Sequence, residues 1–223
     1  MYILSRSNES VNSIRVFIVL SLLYCNEEQS KKLQTGDLLF QDLNCGDLCN
    51  AIENATLGKN GERFSHIGIV SVEGNEIFVY EAYDGVSKTP IAKFLKRDLK
   101  LNENSSVVIG RLKESFQKFI PNAIKEADKR IGLPYDDAFK LNNNKYYCSE
   151  FIYDIFKNDE KLIFKIKPMT FVNQKTGKTD IVWKTYFEKQ KLPIPEGELG
   201  CNPIEYYESE HVTILGLAKN LIN

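Results

Sequence analysis

The chain has 223 residues, of which 43% are hydrophobic and 11% aromatic, including 13 Phe and 11 Tyr. That is enough apolar material for one domain-sized core, and it favours a fold containing a sheet. Twenty-nine basic residues stand against 30 acidic ones for a net charge of −1, so the basic excess that phosphate-contacting proteins carry is missing and a nucleic-acid partner is disfavoured.

The N-terminus reads as a leader. Arg6 and Arg15 precede the apolar run from Val16 to Tyr24, which breaks into Cys25-Asn-Glu-Glu-Gln-Ser30. The run suits a secretory signal and falls well short of the roughly 20 residues needed to span a bilayer. Residues 1–31 are therefore predicted to be a leader and linker, with export to the periplasm or cell envelope, and the folded domain to be 32–223. An apolar run ending at a cysteine also resembles a lipoprotein signal, which would make Cys25 a lipid-bearing membrane attachment; the bulky Tyr24 departs from the small residue expected before it. The alternative is an N-terminal strand or helix of the domain itself and a cytoplasmic protein.

Five cysteines, Cys25, Cys45, Cys49, Cys148 and Cys201, leave at least one thiol unpaired in a chain too large to depend on disulfides. The two histidines, His66 and His211, are accompanied by no C-x-x-C or H-E-x-x-H pattern, so no metal-ligand spacing is recognisable and no cofactor is expected.

Leu33-Gln-Thr-Gly-Asp-Leu-Leu-Phe40 reads as a Gly-Asp turn feeding a buried strand. Between Cys45 and Leu57, Leu48, Ile52 and Ala55 recur at helical spacing, which places Cys45 and Cys49 one turn apart. Two small residues facing the core or the helix surface are the plain reading of that pair; a redox pair or half a metal site is the alternative. A hairpin follows, Ser65 to Val72 and Ile77 to Tyr83, turning at Gly74-Asn75. In that register Gly68 faces Glu81, so His66 and Glu81 become diagonal neighbours on one face, close enough for a carboxylate to bond an imidazole. Ser106 to Arg111 adds a strand. Phe116 to Ile131 reads as one helix ending at Gly132-Leu-Pro134. Phe151, Ile152, Ile155 and Phe156 then repeat at helical spacing, so Cys148 sits at a helix N-terminus. The tail from Leu162 reads as a lid or wrap, and His211 as a solvated surface residue.

A thiol in the first turn of a helix faces the positive end of the helix dipole, which favours its ionised form, and the free amides there can bind an oxyanion. Such a nucleophile needs a base, and the base needs a partner that fixes its orientation. His66 and Glu81 supply both roles. Glu81 also stands out because the strand Ile77-Phe-Val-Tyr-Glu-Ala82 is otherwise apolar, and a buried carboxylate needs a partner; a salt bridge to one of the lysines is the simpler alternative.

These motifs, Gly36-Asp-Leu-Leu-Phe-Gln41, Phe64-Ser-His-Ile-Gly-Ile-Val70, Val79-Tyr-Glu-Ala82, Gly132-Leu-Pro-Tyr-Asp136 and Tyr146-Tyr-Cys-Ser-Glu-Phe-Ile-Tyr153, resemble in order and spacing the YiiX/YebB-like hydrolases, a circularly permuted papain-like branch of the NlpC-type cysteine peptidases. The resemblance covers about Leu33 to Lys157. It implies an α+β fold with an antiparallel sheet packed against helices, a nucleophile at Cys148, a general base at His66 and an orienting acid at Glu81. By the same resemblance the substrate is a small peptide or amide, with peptidoglycan-derived material as the leading class. Gln41, Tyr135, Asp136 and Ser149 are candidate substrate-binding or oxyanion residues, although Gln41 could be a strand-end amide and Tyr135-Asp136 a simple turn. Lipid acyl hydrolysis or transfer, and a catalytically silent binding protein of the same fold, are the competing functions.

Overall fold

The computed structural model describes residues 32–43, 45–97, 107–157 and 163–218. The leader expected at 1–31, with Cys25, lies outside the described residues. In chain order the elements are β1 (Leu38–Gln41), α1 (Asp47–Ala55), β2 (His66–Glu73), β3 (Glu76–Ala82), β4 (Val86–Pro90), α2 (Ile91–Leu95), β5 (Val108–Leu112), α3 (Glu114–Gln117), α4 (Ile120–Arg130) and α5 (Cys148–Ile155). The C-terminal part adds β6 (Lys167–Pro168), β7 (Val172–Asn173), β8 (Lys178–Thr179), α6 (Ile181–Gln190), β9 (Leu199–Gly200), α7 (Pro203–Tyr207) and β10 (Val212–Leu217).

Six strands form one antiparallel sheet in the order β10-β5-β1-β2-β3-β4. The β2–β3 hairpin turns at Gly74, which has φ +61°, and pairs Gly68 with Glu81 and Val70 with Val79, the register expected from the two-residue turn. Strand alternation then sorts the side chains. Leu38, Phe40, Ile67, Ile69, Tyr80 and Ala82 join the larger core, where Phe151, Ile152 and Ile155 of α5 and Ala123 and Ala127 of α4 pack on them. Leu39, Val70, Val79 and Ile109 face the other way and are covered by Phe94 of α2. His66 and Glu81 share the alternation of Val70 and Val79, so both belong to the α2 face.

Four expectations change. The segment 116–131 is two helices rather than one, because Pro121 sits in the first turn of α4, where its missing N–H and fixed φ suit a helix start but not a helix interior. Cys45 and Cys49 form a disulfide with Cα atoms 5.4 Å apart; Cys45 precedes the helix, and the N-cap Gly46 at φ +71° turns it back over the first turn. The C-terminal segment does more than wrap the domain. Its strand β10 occupies the edge of the sheet beside β5, and Phe171, Trp183, Phe187, Ile204 and Tyr206 enter the main core. Near that edge, His211 lies with its ring 4.1 Å from that of Phe116 rather than standing free in solvent.

Candidate active site

Helix α5 begins at Cys148, with Tyr147 as an extended N-cap at ψ 164° that supplies no side-chain cap. Glu150 stands at the third helical position, where the backbone N–H groups of Tyr147 and Asn142 face its carboxyl and favour the charged form. Two ties fix the helix. Arg130 at the end of α4 donates from Nε to Asp154 Oδ2 at 2.7 Å, and the Tyr146 hydroxyl donates to the same oxygen at 2.8 Å. The apolar side of α5 is buried on the sheet, so Cys148 stands on an element that cannot easily shift.

Glu150 carries a measurable consequence of its position. It is buried, and its Oε2 has no hydrogen-bond partner among the described residues. Burial, reinforced by the nearby Asp136, pushes its pKa up to about 8 from the ordinary 4.5. A folded-state value above the unfolded one means that the benefit of the neutral acid is complete below pH 4.5 and is lost as pH rises through 8. Glu150→Gln keeps the side-chain shape and removes the titration. Its melting temperature is therefore expected to exceed that of the native chain by roughly 10 °C at pH 9, shrinking toward zero near pH 4.5, as scanning calorimetry across pH would record. A gap independent of pH would show that the carboxyl does not titrate on unfolding.

His66 opens β2, and its Nε2 lies 2.6 Å from Glu81 Oε2, with both side chains buried. The other Glu81 oxygen accepts from Arg97, which follows α2 and lays its guanidinium 4.2 Å above the Tyr83 ring. Phe94 packs on the imidazole with ring centroids 5.8 Å apart. Gly68 makes that close packing feasible, since a Cβ there would lie 2.4 Å from Val79 Cγ1 and 3.3 Å from the Phe94 ring. The Ser-His-Ile-Gly block thus places His66 and clears the space beside it.

The thiol and the imidazole meet at the start of β2. Cys148 Sγ lies 3.9 Å from the Ser65 carbonyl oxygen, and the His66 ring is near enough to the thiol for its titration to respond to it. With Nε2 engaged by Glu81, the ring nitrogen left for the thiol is Nδ1. Burial alone would push the His66 pKa down, but the nearby Cys148 and the bond to Glu81 override it and raise it to about 9. Burial would likewise raise Glu81; its bonds to His66 and Arg97 instead hold it down at about 2. The other free thiol among the described residues, Cys201, is buried, and burial pushes it up to about 12.

The remaining candidates fare differently. Gln41 is fully buried, and its Nε2 donates to the Phe94 carbonyl at 3.0 Å; it lines neither cavity described below, so its amide braces α2 rather than facing the thiol. Asp136 is also buried, and accepts from the backbone N–H groups of Ala138 at 3.1 Å and Lys140 at 2.5 Å, which makes it the organiser of a turn. Ser149 Oγ donates to the Cys201 carbonyl at 2.9 Å, and the Tyr206 hydroxyl donates to the Ser149 carbonyl at 2.8 Å. Ser149 thereby ties α5 to the C-terminal segment. Tyr135 does reach the thiol's surroundings: burial and the neighbouring Cys148 raise its phenol well above the ordinary value. Arg97 escaped notice in the sequence, where it is one cation in the charged stretch Lys96-Arg-Asp98.

Two cavities flank the cluster. A small one of about 60 Å³ is lined by Cys148, Ile52, Phe139, Met169, Phe171 and Trp183, among others. A larger, open one of about 510 Å³ is lined by His66, Tyr83, Asp84, Asp137, Tyr186 and the Cys45–Cys49 disulfide, among others. Ile52, Ser65, Tyr135 and Phe139 border both.

Residues 32–216 match the family described as permuted papain-like amidase enzyme, YaeF/YiiX, C92 family. The chain belongs to this family. Among its relatives is the uncharacterized protein YiiX of Escherichia coli strain K12, 27% identical over 142 residues, a stretch that spans 63% of this chain and 66% of that protein, just under two thirds of its length. A crystal structure titled metalloprotein yiiX from Escherichia coli O157:H7 shares the fold, with a TM-score of 0.66 at 22% identity, covering 82% of this chain and 96% of that one. The permuted papain-like fold accounts for the chain order here, in which the strand bearing His66 precedes the helix bearing Cys148.

Proposed function

We propose that this protein is a cysteine amidase that works through an acyl-enzyme, with Cys148 as nucleophile, His66 as acid and base, and Glu81 as the group that orients and charges the imidazole. The observation that carries the reading is the buried 2.6 Å contact between His66 Nε2 and Glu81 on an imidazole that neighbours a thiol at a helix tip. In acylation the sulfur bonds the amide carbon, and the thiol proton resides on His66 Nδ1. The oxyanion is received by the backbone N–H of Cys148, which has no intrahelical acceptor at the first helical position. Collapse breaks the C–N bond as His66 returns the proton to the departing amine. Water then attacks the thioester, giving its proton to His66 and a carboxylic acid to solvent, and the sulfur leaves to regain its proton.

The structural neighbour's title calls that protein a metalloprotein. Among the described residues of this chain no three His, Cys, Asp or Glu side chains are grouped so as to hold a metal ion. The donor set does not fit one, and no step here runs through a metal.

A chloroacetamide probe is expected to alkylate Cys148 and to spare Cys201, whose thiol is buried and pushed up to about 12. Labelling is expected to fall at least tenfold in His66→Ala, since the thiolate is the reactive species. Peptide mapping by mass spectrometry reads the site. Equal labelling of Cys148 and Cys201, or labelling indifferent to His66, would remove the basis for the reading.

A further inference from the structure

The two cavities divide the substrate between them. Cys148 lines the small cavity and not the large one, whereas His66 lines the large cavity and not the small one. Once the carbonyl carbon is bonded to sulfur, the acyl group must lie on the sulfur's side, and the departing amine must lie where the imidazole can protonate it. The small cavity is therefore the acyl side. Its walls are mostly apolar, with Ile52, Phe139, Met169, Phe171 and Trp183 beside uncharged polar groups such as those of Thr170 and Asn202, and no charged residue lines it. A carboxylate or ammonium group there would be stripped of water with no ion to pair with. At about 60 Å³ it has room for about four or five water-sized groups.

Resting on the amidase reading, we infer that the substrate is an amide of a short, uncharged, apolar acyl group with a larger amine. The wide cavity beside His66 takes the amine. Long fatty acyl groups exceed the small cavity, and acyl groups bearing a charge near the scissile carbonyl, as in many cell-wall peptides, do not match its walls. Three of those walls, Met169, Phe171 and Trp183, come from the C-terminal segment, so that part of the chain sets acyl selectivity.

The test acylates the full chain with activated acyl thioesters and follows mass gain on Cys148 by intact-protein mass spectrometry. Acetyl, butanoyl, hexanoyl and dodecanoyl probes vary length, and succinyl matches butanoyl in length while adding a carboxylate. Butanoyl or hexanoyl is expected to react about tenfold faster than acetyl, dodecanoyl or succinyl. Met169→Ala, which deepens the cavity at a half-buried position, is expected to move the optimum to a longer chain. Equal rates across the series, or succinyl at least as fast as butanoyl, would overturn the acyl-group inference and leave the amidase reading standing. No mass gain on Cys148 with any probe would overturn both.

Discussion

Alanine at position 66 is expected to lower kcat for an acyl amide by about three to four orders of magnitude. In the proposed mechanism the imidazole has two tasks in one turnover, holding the thiol proton and returning it to the amine, and general acid–base catalysis by one positioned side chain accounts for about 10²–10⁴ in rate. The fold should tolerate the change, because Glu81 keeps Arg97 as a partner and is not left as an isolated buried charge. Cys148→Ala should be at least as damaging, since no thioester can form. The informative variant is the double one. Two groups that act as a unit give losses that do not multiply, so the His66→Ala, Cys148→Ala double variant is expected to be no slower than Cys148→Ala alone. Steady-state rates on all three, with melting temperatures as a control for folding, decide the matter. A His66→Ala enzyme retaining a tenth of its activity would exclude the histidine as the base.

Much of this arrangement can be read from local sequence because the geometry involved is local. A two-residue turn at Gly74-Asn75 fixes the hairpin register, and register alone brings His66 and Glu81 onto one face. The apolar spacing of Phe151, Ile152 and Ile155 fixes a helix, and that places Cys148 at its tip. What the sequence does not reveal depends on tertiary approach. Arg97 reaches Glu81 because α2 crosses the back of the hairpin, and no periodicity in Lys96-Arg-Asp98 announces that. Gln41 ends a strand next to His66, as an oxyanion donor might, yet the same crossing of α2 supplies the Phe94 carbonyl that takes its amide. The C-terminal segment contributes β10 to the sheet and Met169, Phe171 and Trp183 to the small cavity beside Cys148 through short elements, several of two residues, too brief for any pattern to emerge. Cys45 and Cys49 fit helical spacing, but Gly46 starts the helix one residue after Cys45 and makes the disulfide accessible.

Glu81→Gln is expected to move the alkaline limb of kcat/KM downward by at least one pH unit. The proposed mechanism needs His66 protonated to release the amine, so in the native chain activity should decline as pH passes about 9, the value to which the imidazole is raised. Glutamine can still accept a hydrogen bond but carries no charge, while the burial that pushes the imidazole down stays in place. Stability reports the same pair with a definite sign. His66, raised from 6.5 to about 9, contributes fully below pH 6.5 and loses its contribution as pH rises through 9. Glu81, lowered from 4.5 to about 2, contributes above pH 4.5 and loses its contribution as pH falls through 2. The native chain should therefore exceed Glu81→Gln in melting temperature most between about pH 4.5 and 6.5, and least above pH 9. Arg97→Gln separates positioning from charge. It removes the second partner of Glu81 but leaves the carboxylate on the imidazole, so the alkaline limb should remain near 9 while kcat falls and KM holds. A limb that shifts as far in Arg97→Gln as in Glu81→Gln would mean that the guanidinium, and not the carboxylate, governs the protonation of His66.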